Sequence, residues 1–246
     1  MSIFERTELL IGKSGIEKLN NSHVAIFGCG GVGGYVCEML VRCGVGTLTI
    51  VDFDVVSESN INRQIIALHS TVGKPKVEVL KNRLLDINPN LIVNCYPTKY
   101  DESTKNTLLN QKYDYVVDAI DMVKNKIDLI ETCHKLNLKI VSAMGAGNRF
   151  DVPNFEVCDI FKTYNDGLAK VLRKQLKNTE IKEHNVVFSK SQATPNGRVV
   201  GSISYYPSMC GCVIAGFVIN ELLNKKIKIT KRIKNKKTQT LKLSLD

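Results

Sequence analysis

The chain has 246 residues, 43% of them hydrophobic, and a formal net charge of +10. That apolar content suffices for a full doubly wound core and excludes a disordered chain. The N-terminal "MSIFERTELL" has neither a basic leader nor a long apolar run, and the longest apolar stretch, "CGCVIAGFVINELL", is broken by glycine and short for a bilayer; a cytoplasmic protein without a secretory signal or membrane span is therefore expected.

A short helix carrying "FERTELLIG" leads the chain. Strand-like apolar runs at residues 23–28, 47–52, 91–95, 114–118 and 139–143 then alternate with helix-like runs at 32–43, 74–87, 103–110 and 122–136. This alternation predicts an α/β fold, a doubly wound and mostly parallel sheet covered by helices on both faces. After "SAMGAGNRF" the alternation breaks. A short strand "FEVCDIF", a basic amphipathic helix near "DGLAKVLRKQLK", a polar stretch, the strand-like "VVFSKS" and the loop "QATPNGRVVG" precede an apolar helix at 208–224. Antiparallel additions to the sheet are expected in this C-terminal part. There is no internal repeat, and no boundary rich in Pro, Gly or Ser, so a single domain over 1–246 is expected. Most of the net charge sits at its end, where residues 225–246 hold nine Lys or Arg against one Asp. The alternation of "KKIKITKRI" and "TQTLKLSL" reads as a hairpin with a solvated basic edge; a nucleic-acid contact is the sharper reading, since clustered cations replace the counterions of a phosphate backbone.

Within "HVAIFGCGGVGGYVCEML", Gly28, Gly30 and Gly33 form G-x-G-x-x-G between a strand and a helix, the Rossmann-like context the fingerprint requires. The first two glycines let the backbone turn tightly beside phosphate, the third lets helix and strand pack, and the helix N-terminus offers unpaired N–H groups. Asp52 closes the second strand, where a carboxylate serves a ribose in a nicotinamide enzyme and in an ATP enzyme alike. The following "DFDVVSESNINRQ" and "TVGKPKVEVLKNRLLDINP" add Asn60, Arg63, Gln64 and Lys76. An arginine and a lysine here suit a triphosphate, whereas the two phosphates of a dinucleotide are already served by the glycine turn.

These motifs, with "INPN" and "VVDAIDMVKNK" in the same order, resemble the adenylating enzymes related to ubiquitin-activating enzyme, which activate carboxylates with ATP. The resemblance implies an ATP-binding part over 1–147, a substrate-side segment and apolar helix over 148–224, and an appended tail. It implies an ATP site built from Gly28, Gly30, Gly31, Gly33, Asp52, Asp54, Asn60, Arg63, Gln64, Lys76 and Asp121, with Asp52 on the ribose and Asn60, Arg63 and Gln64 toward the phosphates. Lys76 is then the neutralising cation, and Asp121, at the end of "YDYVVDAID", the magnesium carboxylate; a monovalent cation beside it is left open. Arg6 matches an arginine that completes the neighbouring subunit's pocket, so a homodimer is expected, with Arg6, Arg63, Lys76 and Asp121 as the catalytic set. "DIFKTYNDGLAKVLRKQLK", "VVFSKS" and "SYYPSMCGCVIAGFVINELL" are similar to the branch that dehydrates threonylcarbamoyladenosine in tRNA. The implied substrate is tRNA, with no DNA partner, and Lys170, Arg173, Lys174 and Lys177 on the middle helix are its candidate contacts.

A rival of the same chemistry is an activator of a ubiquitin-like sulfur carrier, with a sulfur-transfer protein as partner. Many such activators hold zinc on two CxxC pairs. Here Cys210 and Cys212 form C-G-C and the other six cysteines make no CxxC pair, so no zinc is expected. Cys158, Cys210 or Cys212 as a nucleophile competes with the ordinary reading of a small buried thiol. The four histidines, His23, His69, His134 and His184, have no metal spacing, His69 and His184 falling in polar loops. Outside this class stand a nicotinamide-dependent dehydrogenase, which gains nothing from Arg63 and Lys76, and a nucleotide-sensing module, which needs neither Asp121 nor Arg6.

Overall fold

The computed structural model describes residues 2–194 and 199–225. The expected C-terminal hairpin falls on 226–246 and the tip of the "QATPNGRVVG" loop on 195–198, both outside the described residues.

Two short helices, α1 (Glu5–Ile11) and α2 (Lys13–Asn20), lead into β1 (His23–Phe27), α3 (Gly33–Arg42) and β2 (Thr47–Val51). Then come α4 (Lys76–Ile87), β3 (Ile92–Tyr96), α5 (Lys105–Leu108), β4 (Tyr115–Asp118), α6 (Val123–Lys135) and β5 (Ile140–Ala143). The C-terminal part supplies β6 (Phe155–Asp159), α7 (Gly167–Leu176), β7 (Asn185–Ser189) and α8 (Tyr205–Leu222). The strands form one seven-stranded sheet in the order β3-β2-β1-β4-β5-β7-β6.

The strands' apolar runs are continuous because both faces are buried. In β1, Val24 and Ile26 join a core shared with α3, α4 and α8, whereas Ala25 and Phe27 join a second core under α6 and α7. Leu48 and Ile50 of β2 take the first face and Val51 the second. A slip of one residue in either strand would turn the two sets over, so burial itself sets the register, which pairs Val24 with Leu48 and with Tyr115.

The expected α/β class is observed, and among the described residues the antiparallel addition is a single strand. β6 runs antiparallel to β7, while β7 runs parallel to β5, so the segment after "SAMGAGNRF" leaves the sheet's alternation through β6 and α7 and returns to it. Two elements differ from the sequence reading. The helix expected over 103–110 shrinks to Lys105–Leu108, because Asp101, Ser103 and Thr104 spend their side chains on local backbone and on one another. The last helix starts at Tyr205 and takes Pro207 into its first turn, where a missing N–H leaves no helical bond unmade. No described helix is long and apolar enough to cross a membrane.

Candidate active site

Strand order reverses between β1 and β4, the position where open α/β sheets bind ligands beyond their strand ends. A cavity of about 500 Å³ lies there, lined by Gly28, Gly30, Gly31, Asp52, Asp54, Asn60, Arg63, Gln64, Lys76 and Asp121. Every residue assigned to the nucleotide from the sequence lines it except Gly33, which serves the cradle from behind.

The glycine turn is built by close approach. Gly28 has a φ of +93°, and a Cβ there would lie 2.6 Å from the Ala119 carbonyl oxygen. A Cβ on Gly33 would lie 1.8 Å from the Gly28 oxygen, so α3 can start where it does only with glycine at this position. Gly30 differs, since a Cβ there would meet nothing closer than Gln64 at 3.7 Å. Its bare backbone faces the cavity and leaves room for a ligand.

Asp52 is aimed by the turn it faces. Its carboxylate accepts from the Cys29 N–H at 2.6 Å and the Asp54 N–H at 2.9 Å. Burial pushes its pKa up, and those two N–H groups and Lys76 pull it back. Lys76, at the start of α4 and 5% exposed, places its Nζ 2.7 Å from Asp54. A lone ammonium so buried would be costly, and pairing with the half-exposed Asp54 offsets that cost.

Asn60 and Arg63 share the loop between β2 and α4. Asn60 accepts from the Ser57 N–H at 3.1 Å, which closes a short 3-10 turn. The Arg63 guanidinium donates to the Ser59 carbonyl at 2.8 Å and to Asn62 Oδ1 at 2.7 Å. Gln64 is 7% exposed, and its Oε1 is buried without a hydrogen-bond partner among the described residues. Such an orphan in a native cavity wants a ligand or ordered water.

Asp121 lies in the loop beyond β4, past the strand end given to it by the sequence; β4 stops at Asp118. The strand's last carboxylate is therefore the fully buried Asp118, and Asp121, past the intervening "AI", is exposed at the cavity edge. Arg6 is on the exposed side of α1 and does not line the cavity. Nor do the basic residues on α7 and at its C-cap: Lys170, Lys174 and Lys177 are exposed, and the partly buried Arg173 donates to the Thr163 hydroxyl. Sequence reasoning missed Phe53, Thr98, Lys99, Tyr100 and Pro207, which also line the cavity. The signal for Lys99 and Tyr100 was their place just past the end of β3, where this fold puts its ligands.

The thiols are poor nucleophiles. Burial pushes Cys158 and Cys210 up to about 12, and all eight cysteines are free of disulfides. His184 lies in the loop just before β7, as the sequence suggests, but its side chain is buried. It is 2% exposed, bonded through Nε2 to the buried Ser142 hydroxyl at 2.8 Å and through Nδ1 to His134 at 3.3 Å. Nothing in the polar "EHN" run marks this one side chain as buried; its contacts with Ser142 of β5 and His134 of α6 are made by the fold, one residue before β7 begins.

A family model described as "ThiF family" matches residues 4–244. The chain belongs to the ThiF family. Among its relatives, a "tRNA threonylcarbamoyladenosine dehydratase" of Bacillus subtilis is 40% identical, over 95% of this chain and 98% of the relative. A "molybdopterin-synthase adenylyltransferase" of Haemophilus influenzae is 33% identical over 66% of each chain. Among solved structures, an Escherichia coli tRNA N6-threonylcarbamoyladenosine dehydratase in complex with ATP superposes with a TM-score of 0.85 at 31% identity, covering 90% of this chain and 93% of that one.

Proposed function

We propose that the chain is an ATP-dependent tRNA threonylcarbamoyladenosine dehydratase, which adenylates the free carboxylate of the modified adenosine and closes it into a ring. The observation that carries this reading is likeness over almost the full length of both chains to a relative of that name, together with a cavity that offers glycine backbone and cations side by side. A carboxylate is a poor electrophile until its oxygen becomes part of a leaving group. Attack of that oxygen on the α-phosphorus of ATP releases pyrophosphate; attack of the carbamoyl group on the activated carbonyl then expels AMP, which carries the lost oxygen away. Neither step needs a protein nucleophile, which agrees with thiols held protonated by burial.

What the chain supplies is positioning and charge. Asp52 is oriented for a ribose hydroxyl, and the glycine turn approaches the phosphates. Lys76 exchanges part of its bond with Asp54 for phosphate, and Arg63 turns from its own loop toward the same charge. The donor set also fits magnesium. Asp121 offers an exposed carboxylate with no described partner, no group of three or more His, Cys, Asp or Glu among the described residues could hold an ion alone, and magnesium is commonly held by one or two carboxylates plus the substrate's phosphates. Bound there, it would neutralise phosphate charge.

The exposed α1, with Leu9 83% and Leu10 82% accessible, suits a two-fold partner into whose pocket Arg6 reaches. The exposed lysines of α7 suit the tRNA backbone. Incubating the protein with ATP, magnesium and tRNA bearing the linear modification, then weighing the digested nucleoside, tests the activity: loss of one water, about 18 mass units, is expected from ring closure through an activated carboxylate. No mass change, with ATP–pyrophosphate exchange stimulated instead by a ubiquitin-like sulfur carrier, would replace this reading with the carrier activator.

A further inference from the structure

The loop that carries Asp121 is held from beneath by a buried ion pair. Lys126 and Asp118 are both 0% exposed, and Lys126 Nζ lies 2.9 Å from Asp118 Oδ2. The same ammonium donates to the Ile120 carbonyl at 3.0 Å and reaches the Asp118 carbonyl at 3.4 Å. Asp118 Oδ1 accepts from the Ile120 N–H at 3.1 Å, and the Ala119 N–H is tied to Phe27 at 2.8 Å. So both backbone groups of Ile120, the residue before Asp121, are bound by this one pair. Ala119, Ile120, Asp121 and Met122 all line the cavity, and the Ala119 carbonyl is the atom against which the Gly28 turn packs.

Stability alone does not account for the pair. A buried ion pair seldom outperforms apolar residues of the same volume, because the desolvation of two charges offsets their attraction. Lys126 also stands in the first turn of α6, where the helix dipole disfavours a cation. Two local preferences are overridden at one place, as happens at functional sites. Asp118 pairs across the sheet with Ser142 of β5, whose hydroxyl is bonded to His184.

We propose that Lys126, locked onto Asp118, is a positioning residue that fixes the Ala119–Met122 loop and so aims Asp121 at the metal and phosphates of the bound nucleotide. The proposal rests on the adenylation reading for its functional consequence, and its structural half can be measured without it.

The test uses the full-length protein with both charges removed, Asp118→Asn together with Lys126→Met. Hydrogen exchange of the peptide covering residues 119–122 is expected to quicken about tenfold or more while β1 and β2 keep their protection. The magnesium concentration giving half-maximal ATP–pyrophosphate exchange is expected to rise about tenfold, since a displaced carboxylate is a poorer ligand for a cation that demands strict geometry. Wild-type exchange and wild-type magnesium dependence in the folded double variant would overturn the proposal. Should that variant not fold, Lys126→Arg decides: it keeps the charge but moves the donors, so intermediate values of both readouts support positioning, and wild-type values reduce the pair to a structural one. Asp121→Asn serves as the control. It should raise the magnesium requirement without loosening the loop; if it leaves magnesium dependence unchanged, the metal role of Asp121 fails while the loop's exchange still decides the role of Lys126.

Discussion

The floor and the rim of the cavity are built differently. On the floor, Asp118 and Lys126 are sealed together, Asp52 is clamped by two N–H groups, and Gly33 is pressed against Gly28. On the rim, Arg63 is bonded only to its own loop, Asp121 is exposed, and Gly30 has room for a methyl in ordinary contact with Gln64. Lys76 belongs to both, buried along its stem yet paired to a half-exposed Asp54. A site that must bind a polyanion gains from this division. The floor carries the cost of preorganisation into the fold, while the rim keeps its charges in water until the ligand displaces that water.

The largest effect should come from breaking the floor. Gly33→Ala would place a Cβ 1.8 Å from the Gly28 oxygen, and the chain should lose most of its soluble folded population or melt well over 10 °C lower by calorimetry, a cost of several kcal/mol. Gly30→Ala, whose new methyl would make only an ordinary contact with Gln64, should melt like wild type yet lose the stabilisation ATP confers. Equal melting temperatures for the two variants would dissolve the distinction between floor and rim.

Next come the cations. Lys76→Ala should cut ATP–pyrophosphate exchange by about 10²–10³-fold. Arg63→Ala should cut it by a similar factor with the melting temperature unchanged, because its present bonds are all on an exposed loop. Loss of folding in Arg63→Ala would make this residue part of the scaffold. Across subunits, Arg6→Ala and Lys76→Ala chains, each inactive alone, should recover up to about a quarter of wild-type activity when mixed, since random pairing leaves one intact pocket in each mixed dimer. No recovery after confirmed subunit exchange would remove Arg6 from the site.

The smallest effect is one of pH, at the far end of the floor's polar chain. Burial, His134 and Lys126 depress the pKa of His184 from 6.5 to about 3. The folded state therefore takes up fewer protons than the unfolded one between these values, so the stabilisation is complete above pH 6.5 and is lost as pH falls toward 3. Urea unfolding should show a loss of about 2 kcal/mol between pH 7 and pH 5 from this group, and His184→Gln should flatten that limb. An unchanged slope in the variant would place the acid sensitivity elsewhere.

Local chemistry in the sequence was enough to specify the sheet and part of the cavity's polar lining, to which the family resemblance added Gly31, Asp54 and Asp121. Alternating apolar runs can be satisfied only by burial on two faces, G-x-G-x-x-G after a strand can only be a tight approach to a helix, and residues just past strand ends must face the sheet's open edge. The tertiary structure alone decided what depends on distance between elements. It returned β7 to the parallel sheet beside β5, buried His184 against Ser142, and set Lys126 beneath the loop that bears Asp121. "VVDAIDMVKNK" holds two aspartates and two lysines with nothing local to tell them apart; the register of β4 and the first turn of α6 send Asp118 and Lys126 into the interior and leave Asp121 and Lys124 outside. Charge pairing across a fold is set by which side chains the backbone brings into the same low-dielectric space, and that is a property of packing.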